Sequence, residues 1–265
     1  MTVSFALSAP RCDDFPAFLE AWIEHTGAAC IADLGGGANP LLSPGFVARR
    51  QLDYTVIDIA PAELDKGPRQ FRKLCADLGA RDFAGGEEWP QFDLVFSRML
   101  AEHVPCGRTF HRNVRRLLAP GGVALHCFPT LYSLPFVLNK LSAEGLSDWL
   151  LRRLQPRDRF QYGKFPAYYS WCRGPSRRQL QRFARLGYEV LEYRGYFGHP
   201  YFEAFPALDR LERRMATRLL ARPRPLLTSY AFVALRKPVA VAVAVAADGA
   251  EHAAGAALAI SGPTA

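Results

Sequence analysis

No window of this sequence offers the roughly 18 consecutive apolar residues that a membrane-spanning helix needs. The opening stretch MTVSFALSAPRCDDF lacks a basic start, and Ser and Pro break its apolar part early, so it does not read as a secretory signal. Both features point to a cytoplasmic protein. Cysteine is sparse and falls at 12, 30, 75, 106, 127 and 172; no pair reads C-x-x-C, and no Cys/His group has zinc-finger spacing. No metal is expected, and Cys30, Cys75 and Cys127 read as reduced thiols packed as small hydrophobes. G-K-[ST] is missing too, which argues against a triphosphate cradle. No internal repeat is present.

What is there is the composition of a folded protein. The 265 residues are 49% hydrophobic and 12% aromatic, enough for one large domain or two small ones with a sizeable core. Lys plus Arg exceeds Asp plus Glu by 33 − 25 = 8. Such a balance can attract nucleic acid or an acidic substrate. Here the basic residues are spread out, with short knots at Arg152–Arg153, Arg177–Arg178 and Arg213–Arg214. The bias toward Ala, Gly, Pro and Arg also fits a GC-rich coding sequence, so a nucleic-acid partner is not expected.

Residues 13–26 predict an amphipathic helix with Phe15, Phe18, Leu19, Trp22 and Ile23 on one face. Strands are expected at 30–34, 54–59, 72–76, 92–97 and 123–128. A helix over 107–119 is stopped by Pro120-Gly121-Gly122. The strands are short, apolar on both faces and separated by helical segments, the pattern of a parallel sheet covered on both sides. Residues 129–175 break this rhythm with aromatics and prolines and read as a lid or substrate insertion. A helix at 176–186 with Ser176 as N-cap, a strand at 188–197, a helix at 202–221 and a last strand at 228–236 follow. Residues 1–237 thus read as one domain. Residues 238–265 are Ala-rich and read as a disordered tail.

In an open parallel sheet, ligands bind outside the carboxyl ends of the strands, at the switch point in strand order. Those ends carry Asp33 with Gly35, Gly36 and Gly37, then Asp58, then Asp77, then Ser97. Asp58 follows Gly35 by 58 − 35 = 23 residues, close to the spacing of about 20 at which an acid reaches ribose hydroxyls. Glycines let a ligand lie against the backbone, and a carboxylate on the next strand accepts two hydrogen bonds from a diol. Pro40 stands where a dinucleotide site has its third glycine, and Asn39-Pro40 indicates a longer loop. A nucleoside without a pyrophosphate fits best.

The runs DLGGGANP, VID, CADL, FDLVFSRMLAEHV and LLAPGGVALHCFPT, in that order and spacing, resemble the motifs of class I S-adenosylmethionine-dependent methyltransferases, of the small-molecule, type 11/12-like group. The match covers residues 15–128. It implies a Rossmann-like doubly wound α/β fold with a seven-stranded sheet, mostly parallel with an antiparallel last strand, and helices on both faces. It also implies S-adenosyl-L-methionine as cofactor. Asp33, Gly35, Gly36, Gly37 and Asn39 would line its methionine and ribose portions, Asp58 would bind the ribose, and Ile59 would pack on the adenine. Asp77 would accept from the adenine amino group with Leu78 beside it, and Ser97 and Arg98 would face the methionine part.

Glu102 and His103 follow the fourth expected strand in a Glu-His-Val that is similar to one found near the transferred methyl in several small-molecule methyltransferases. They are the catalytic candidates, with His103 as a general base. Holding a divalent metal and merely anchoring the loop are the alternatives for the pair. Phe128, Thr130 and Tyr132, just past the fifth strand, are expected to meet the substrate. Tyr168, Tyr169 and Trp171 either line the same pocket or form a small core under the lid. His126 reads as a satisfied core histidine. The functional expectation is O- or N-methylation of a small molecule. An RNA or protein methyltransferase, or a non-catalytic nucleoside-binding protein, is the alternative.

Overall fold

The computed structural model describes residues 1–8, 14–83, 89–131, 166–199, 202 and 204–239. Helix α1, Phe15–Thr26, buries Phe15, Phe18, Leu19 and Ile23 and ends where Gly27, at φ 63°, returns its N–H to the Ile23 carbonyl. The strands are β1 (Thr2–Leu7), β2 (Cys30–Leu34), β3 (Asp53–Asp58), β4 (Arg72–Cys75), β5 (Phe92–Arg98), β6 (Leu118–Pro129), β7 (Glu189–Phe197) and β8 (Tyr230–Arg236). The remaining helices are α2 (Pro44–Arg49), α3 (Pro61–Lys66), α4 (Gly107–Leu117), α5 (Arg177–Arg185) and α6 (Pro206–Ala221). Ser176 caps α5 as expected, its side chain accepting from the Gln179 amide.

One sheet holds all eight strands in the order β1-β7-β8-β6-β5-β2-β3-β4. Only β8 runs antiparallel to its neighbours β6 and β7. The sheet therefore has one strand more than the seven expected. The addition is β1, which pairs in parallel with β7 from Thr2↔Glu192 to Leu7↔Phe197 and stacks Phe5 on Phe197. A second difference lies at Pro120-Gly121-Gly122. These residues do not end the helix and restart a strand; they form a bulge inside β6, where the register jumps from Phe92↔Leu118 to Leu94↔Val123.

Two layers cover the sheet. Cys127 of β6 pairs with Phe232 of β8, whose ring meets Phe15 and Phe18 of α1. Successive strand side chains alternate in face, so His126 points the other way, into α4 and α5, where it meets Phe110 and His111. Chain order runs outward from β2 through β3 to β4, then crosses back to β5 on the other side of β2. The switch point therefore lies at the carboxyl end of β2, where the glycines are.

Candidate cofactor and active site

Leu34 pairs with both Ile57 and Ser97, so β2, β3 and β5 end at one level. The chain leaves β2 through Gly35, whose φ of 78° is left-handed and whose N–H donates to the Ile57 carbonyl at 2.7 Å. Side chains have no room in the loop that follows. A Cβ on Gly36 would stand 2.8 Å from the Asp33 carboxyl, and one on Gly37 would stand 3.0 Å from Asp58 Oδ2. The glycines thus hold the loop flat between two carboxylates.

The two acids differ in kind. Asp33 is buried, and its Oδ2 accepts from the Leu41 amide at 2.9 Å and the Tyr54 hydroxyl at 2.7 Å. Burial pushes its carboxyl up to about 6, against both hydrogen bonds, with the Asp58 charge adding to the rise. Asp33 is therefore a brace for the loop. Tyr54 was not singled out in the sequence, since a Tyr in a strand does not declare its partner. Asp58 is half-buried; its Oδ1 accepts from the Ala60 amide at 2.9 Å while Oδ2 faces the Gly37 turn. Beyond it Ile59 is 58% exposed, an apolar side chain held out at a strand end.

Asp77 lies next to this pair, because the Ala76 amide donates to the Asp58 carbonyl at 2.9 Å. Its Oδ1 accepts from the Gly79 amide at 2.7 Å. Leu78 is buried, and Asn113 of α4 fixes this loop by donating to the Leu78 and Ala80 carbonyls. Asn113 is a second positioning residue without a sequence signal. Asn39 closes the glycine loop through its amide, which donates to the Gly36 carbonyl. Ser97 is fully buried, with its Oγ 2.7 Å from His126 Nδ1, and Arg98 is exposed at the end of β5. Among the described residues His126 Nε2 has no hydrogen-bond partner, so this histidine is only half satisfied there.

After β5 the chain turns at Met99, φ 57°, into a short 3-10 turn, Ala101–His103. The Glu102 carbonyl accepts two amides from the segment 166–173, Tyr168 at 2.7 Å and Tyr169 at 3.0 Å. His103 Nδ1 stands 3.0 Å from the Pro166 carbonyl. A carbonyl only accepts, so this nitrogen is the donor. Nε2 lies 3.8 Å from Glu102 Oε1, beyond hydrogen-bond range. The Glu102 carboxyl is buried, its Oε2 lacks a partner among the described residues, and burial pushes it up to about 8. Burial thus favours its uncharged form.

The residues expected to meet the substrate do not form one surface. Phe128 is fully buried within β6. Thr130 is buried and donates its hydroxyl to the Thr228 carbonyl. Tyr168 is exposed, whereas Tyr169 is buried. Trp171 stacks on His111, meets Phe183 edge-on and lies under the Arg182 guanidinium, in the layer of α4 and α5. Tyr132 and most of the expected insertion lie outside the described residues, as does the tail from 240 on. Among the described residues no group of His, Cys, Asp and Glu has the arrangement of a metal site, and no helix is long and apolar enough to cross a membrane.

An eight-stranded α/β sheet with a glycine loop and a carboxylate facing each other at its switch point defines a Rossmann-like nucleoside-site architecture. Residues 32–124, from β2 into β6, match the family model described as "Methyltransferase domain". The chain is 28% identical over 152 residues to an uncharacterized methyltransferase of Mycobacterium sp. (strain KMS), a match covering 52% of this chain and 55% of that protein. It thus spans about half the length of the curated relative. An S-adenosylmethionine-dependent methyltransferase from Clostridium acetobutylicum superposes with a TM-score of 0.50 at 10% identity, over 85% of this chain and 91% of that one, which is a likeness of fold. A SAM dependent methyltransferase from Archaeoglobus fulgidus gives 0.49 at 12% identity, covering 84% and 93%.

Proposed function

We propose that this chain is a cytoplasmic enzyme that moves the methyl group of S-adenosylmethionine to an oxygen or nitrogen of a small molecule. One observation carries the reading: the Gly37 turn lies against the Asp58 carboxylate, with no room for a Cβ between them. Asp58 would bind the diol of a ligand backed by that turn, and Ile59 would pack on its base. Asp77 and Leu78 would continue the base side, and the end of β5 with Ser97 and Arg98 would take the amino-acid side. The cradle is one that side chains would fill, which fits the cofactor that the domain class uses.

The cofactor supplies an electrophilic methyl on a sulfonium, so the protein's task is mainly in-line placement of the acceptor. His103 Nε2, with the proton held on Nδ1 by Pro166, takes the proton from an attacking hydroxyl or amine. Residues 1–237 act as one domain in this reading, with 129–175 as its substrate insertion and 238–265 as an appended tail.

The test is calorimetry with S-adenosylhomocysteine, followed by labelled methyl donor with a host metabolite extract. Binding that Asp58→Ala weakens, together with label in a small-molecule product, is expected. Absence of binding at millimolar ligand refutes the proposal, and label confined to RNA or protein refutes its choice of acceptor.

A further inference from the structure

Helix α6 buries a narrow face and leaves an apolar stripe outside. Its buried residues are Glu212 and Ala216, and it lies over β1 and β7. Leu208, Leu211 and Met215 are 47%, 61% and 45% exposed, and Phe205, just before the helix, is 39% exposed. At about 100° per residue, positions 208, 211 and 215 fall within about 60° of one another, in one row along the helix flank. Arg218, Arg214 and Arg210 occupy the next arc, of about 80°, and all three are exposed. Exposed Arg222 and Arg224 follow, then exposed Leu226 and Leu227 in the turn Pro225–Leu227. From 205 to 227 there are six arginines against Asp209 and Glu212, an excess of 6 − 2 = 4. Both acids are engaged, Asp209 with Arg213 and Glu212 with His199.

A soluble helix ordinarily turns its leucines inward; this one keeps three large apolar side chains in water beside an arc of arginines. We propose that the α6 face docks the protein on an anionic lipid bilayer, lying in the interface with Leu208, Leu211 and Met215 among the acyl chains and the arginines on the headgroup phosphates. Charge selects this occupant. A second copy packed symmetrically on the same face would bring two arginine arcs together. A nucleic acid would satisfy the arginines but leave an aliphatic row unused, since unstacked bases are held on aromatic rings. The net charge of +8 draws the chain to the same surface.

The test is flotation of the full chain with phosphatidylcholine vesicles containing phosphatidylglycerol, against vesicles of phosphatidylcholine alone. The chain is expected to float with the anionic vesicles, to be released as NaCl is raised, and not to float with the neutral ones. Leu211→Glu should lower the partition coefficient by roughly tenfold or more, with unchanged thermal midpoint and S-adenosylhomocysteine affinity showing an intact fold. Arg210→Glu with Arg214→Glu should do the same. Equal flotation with both vesicle types, flotation with neither, or full flotation of Leu211→Glu would overturn the proposal. So would a dimer that Leu211→Glu abolishes, or binding of poly(U) RNA that exceeds vesicle binding and survives Leu211→Glu. None of these outcomes bears on methyl transfer, so this inference and the proposed reaction fail separately.

Discussion

The Tyr54 hydroxyl donates to Asp33 Oδ2 across 2.7 Å, joining the second residue of β3 to the penultimate residue of β2. The same oxygen accepts from the Leu41 amide beyond the glycine loop. One buried atom therefore ties together two strands and the far end of the loop they frame. Burial raises the phenol, so Tyr54 remains a donor at any physiological pH.

Tyr54→Phe removes that donor and keeps the ring contacts with Phe71 and Phe96. A buried hydrogen bond to a carboxylate is worth about 1–3 kcal/mol, and a loss of that size is expected in urea unfolding. S-adenosylhomocysteine affinity should fall with it, because the loop loses one of its two ties. Unchanged stability and unchanged affinity together would show that Tyr54 does not brace the loop.

The ribose role proposed for Asp58 and the flatness of the loop can be separated. Asp58→Ala is expected to weaken S-adenosylhomocysteine by roughly 10- to 100-fold, the loss of a charge-assisted pair of hydrogen bonds, with little change in thermal midpoint. Gly37→Ala should lower both. Its methyl would stand 3.0 Å from Asp58 Oδ2 on a residue at φ 43°, and left-handed backbone costs a non-glycine residue roughly 1 kcal/mol. Calorimetry and thermal unfolding of the two variants decide the matter; full affinity in Asp58→Ala would remove the acid from the site.

Much of this arrangement is legible in the sequence because it rests on local signals. β2 begins and ends at the expected residues because an apolar run meets glycines. Asp58 is found from its spacing to Gly35, and Ser176 from its place before a periodic segment. Long-range pairings are not legible. Strand β1 exists because Thr2–Leu7 finds the edge of β7 nearly 190 residues away, and Tyr54 and Asn113 act on partners that no spacing rule relates to them. Burial is not legible either: Phe128 stands just past the expected fifth strand and Trp171 in the aromatic insertion, but which face of a strand or loop turns inward is decided by α4 and α5.

The pH dependence of stability should carry the mark of Glu102. Its carboxyl ionises near 8 when folded against an ordinary value of 4.5, so the folded state holds the extra proton and stability falls as pH rises between those values. Below about 6.5 the buried imidazoles of His111 and His126, both lowered by burial, work in the opposite direction, because the unfolded chain binds their protons first. Asp33 adds a further fall between about 4 and 6. His199 is lowered by burial as well, and all three imidazoles still add stability just above 6.5, so the difference between two proteins is what isolates Glu102. From pH 6.5 to 8 wild type should lose about 1.5 kcal/mol relative to Glu102→Gln. Urea unfolding at the two pH values makes the comparison, and parallel losses in both proteins would place the titration elsewhere.

Gly107 tests how the segment 166–173 is seated. It opens α4, and its amide donates to Ser170 Oγ at 2.9 Å. A Cβ there would stand 2.5 Å from the Ser170 carbonyl oxygen and 2.7 Å from Trp171 Cβ. The first of these neighbours is backbone, and Trp171 is itself held at φ 65° against His111 and Phe183, so neither can yield cheaply. Gly107→Ala must displace the segment that also presents the Tyr168 and Tyr169 amides to Glu102. Overpacking of this kind costs about 1–3 kcal/mol, more than the helix propensity of alanine returns, since about 1 kcal/mol separates the two residues within a helix and less at its first position. A net loss is therefore expected in the denaturant midpoint, with a shift in tryptophan emission from Trp171. An alanine variant as stable as wild type, with unshifted emission, would mean that the segment is free to move away from α4.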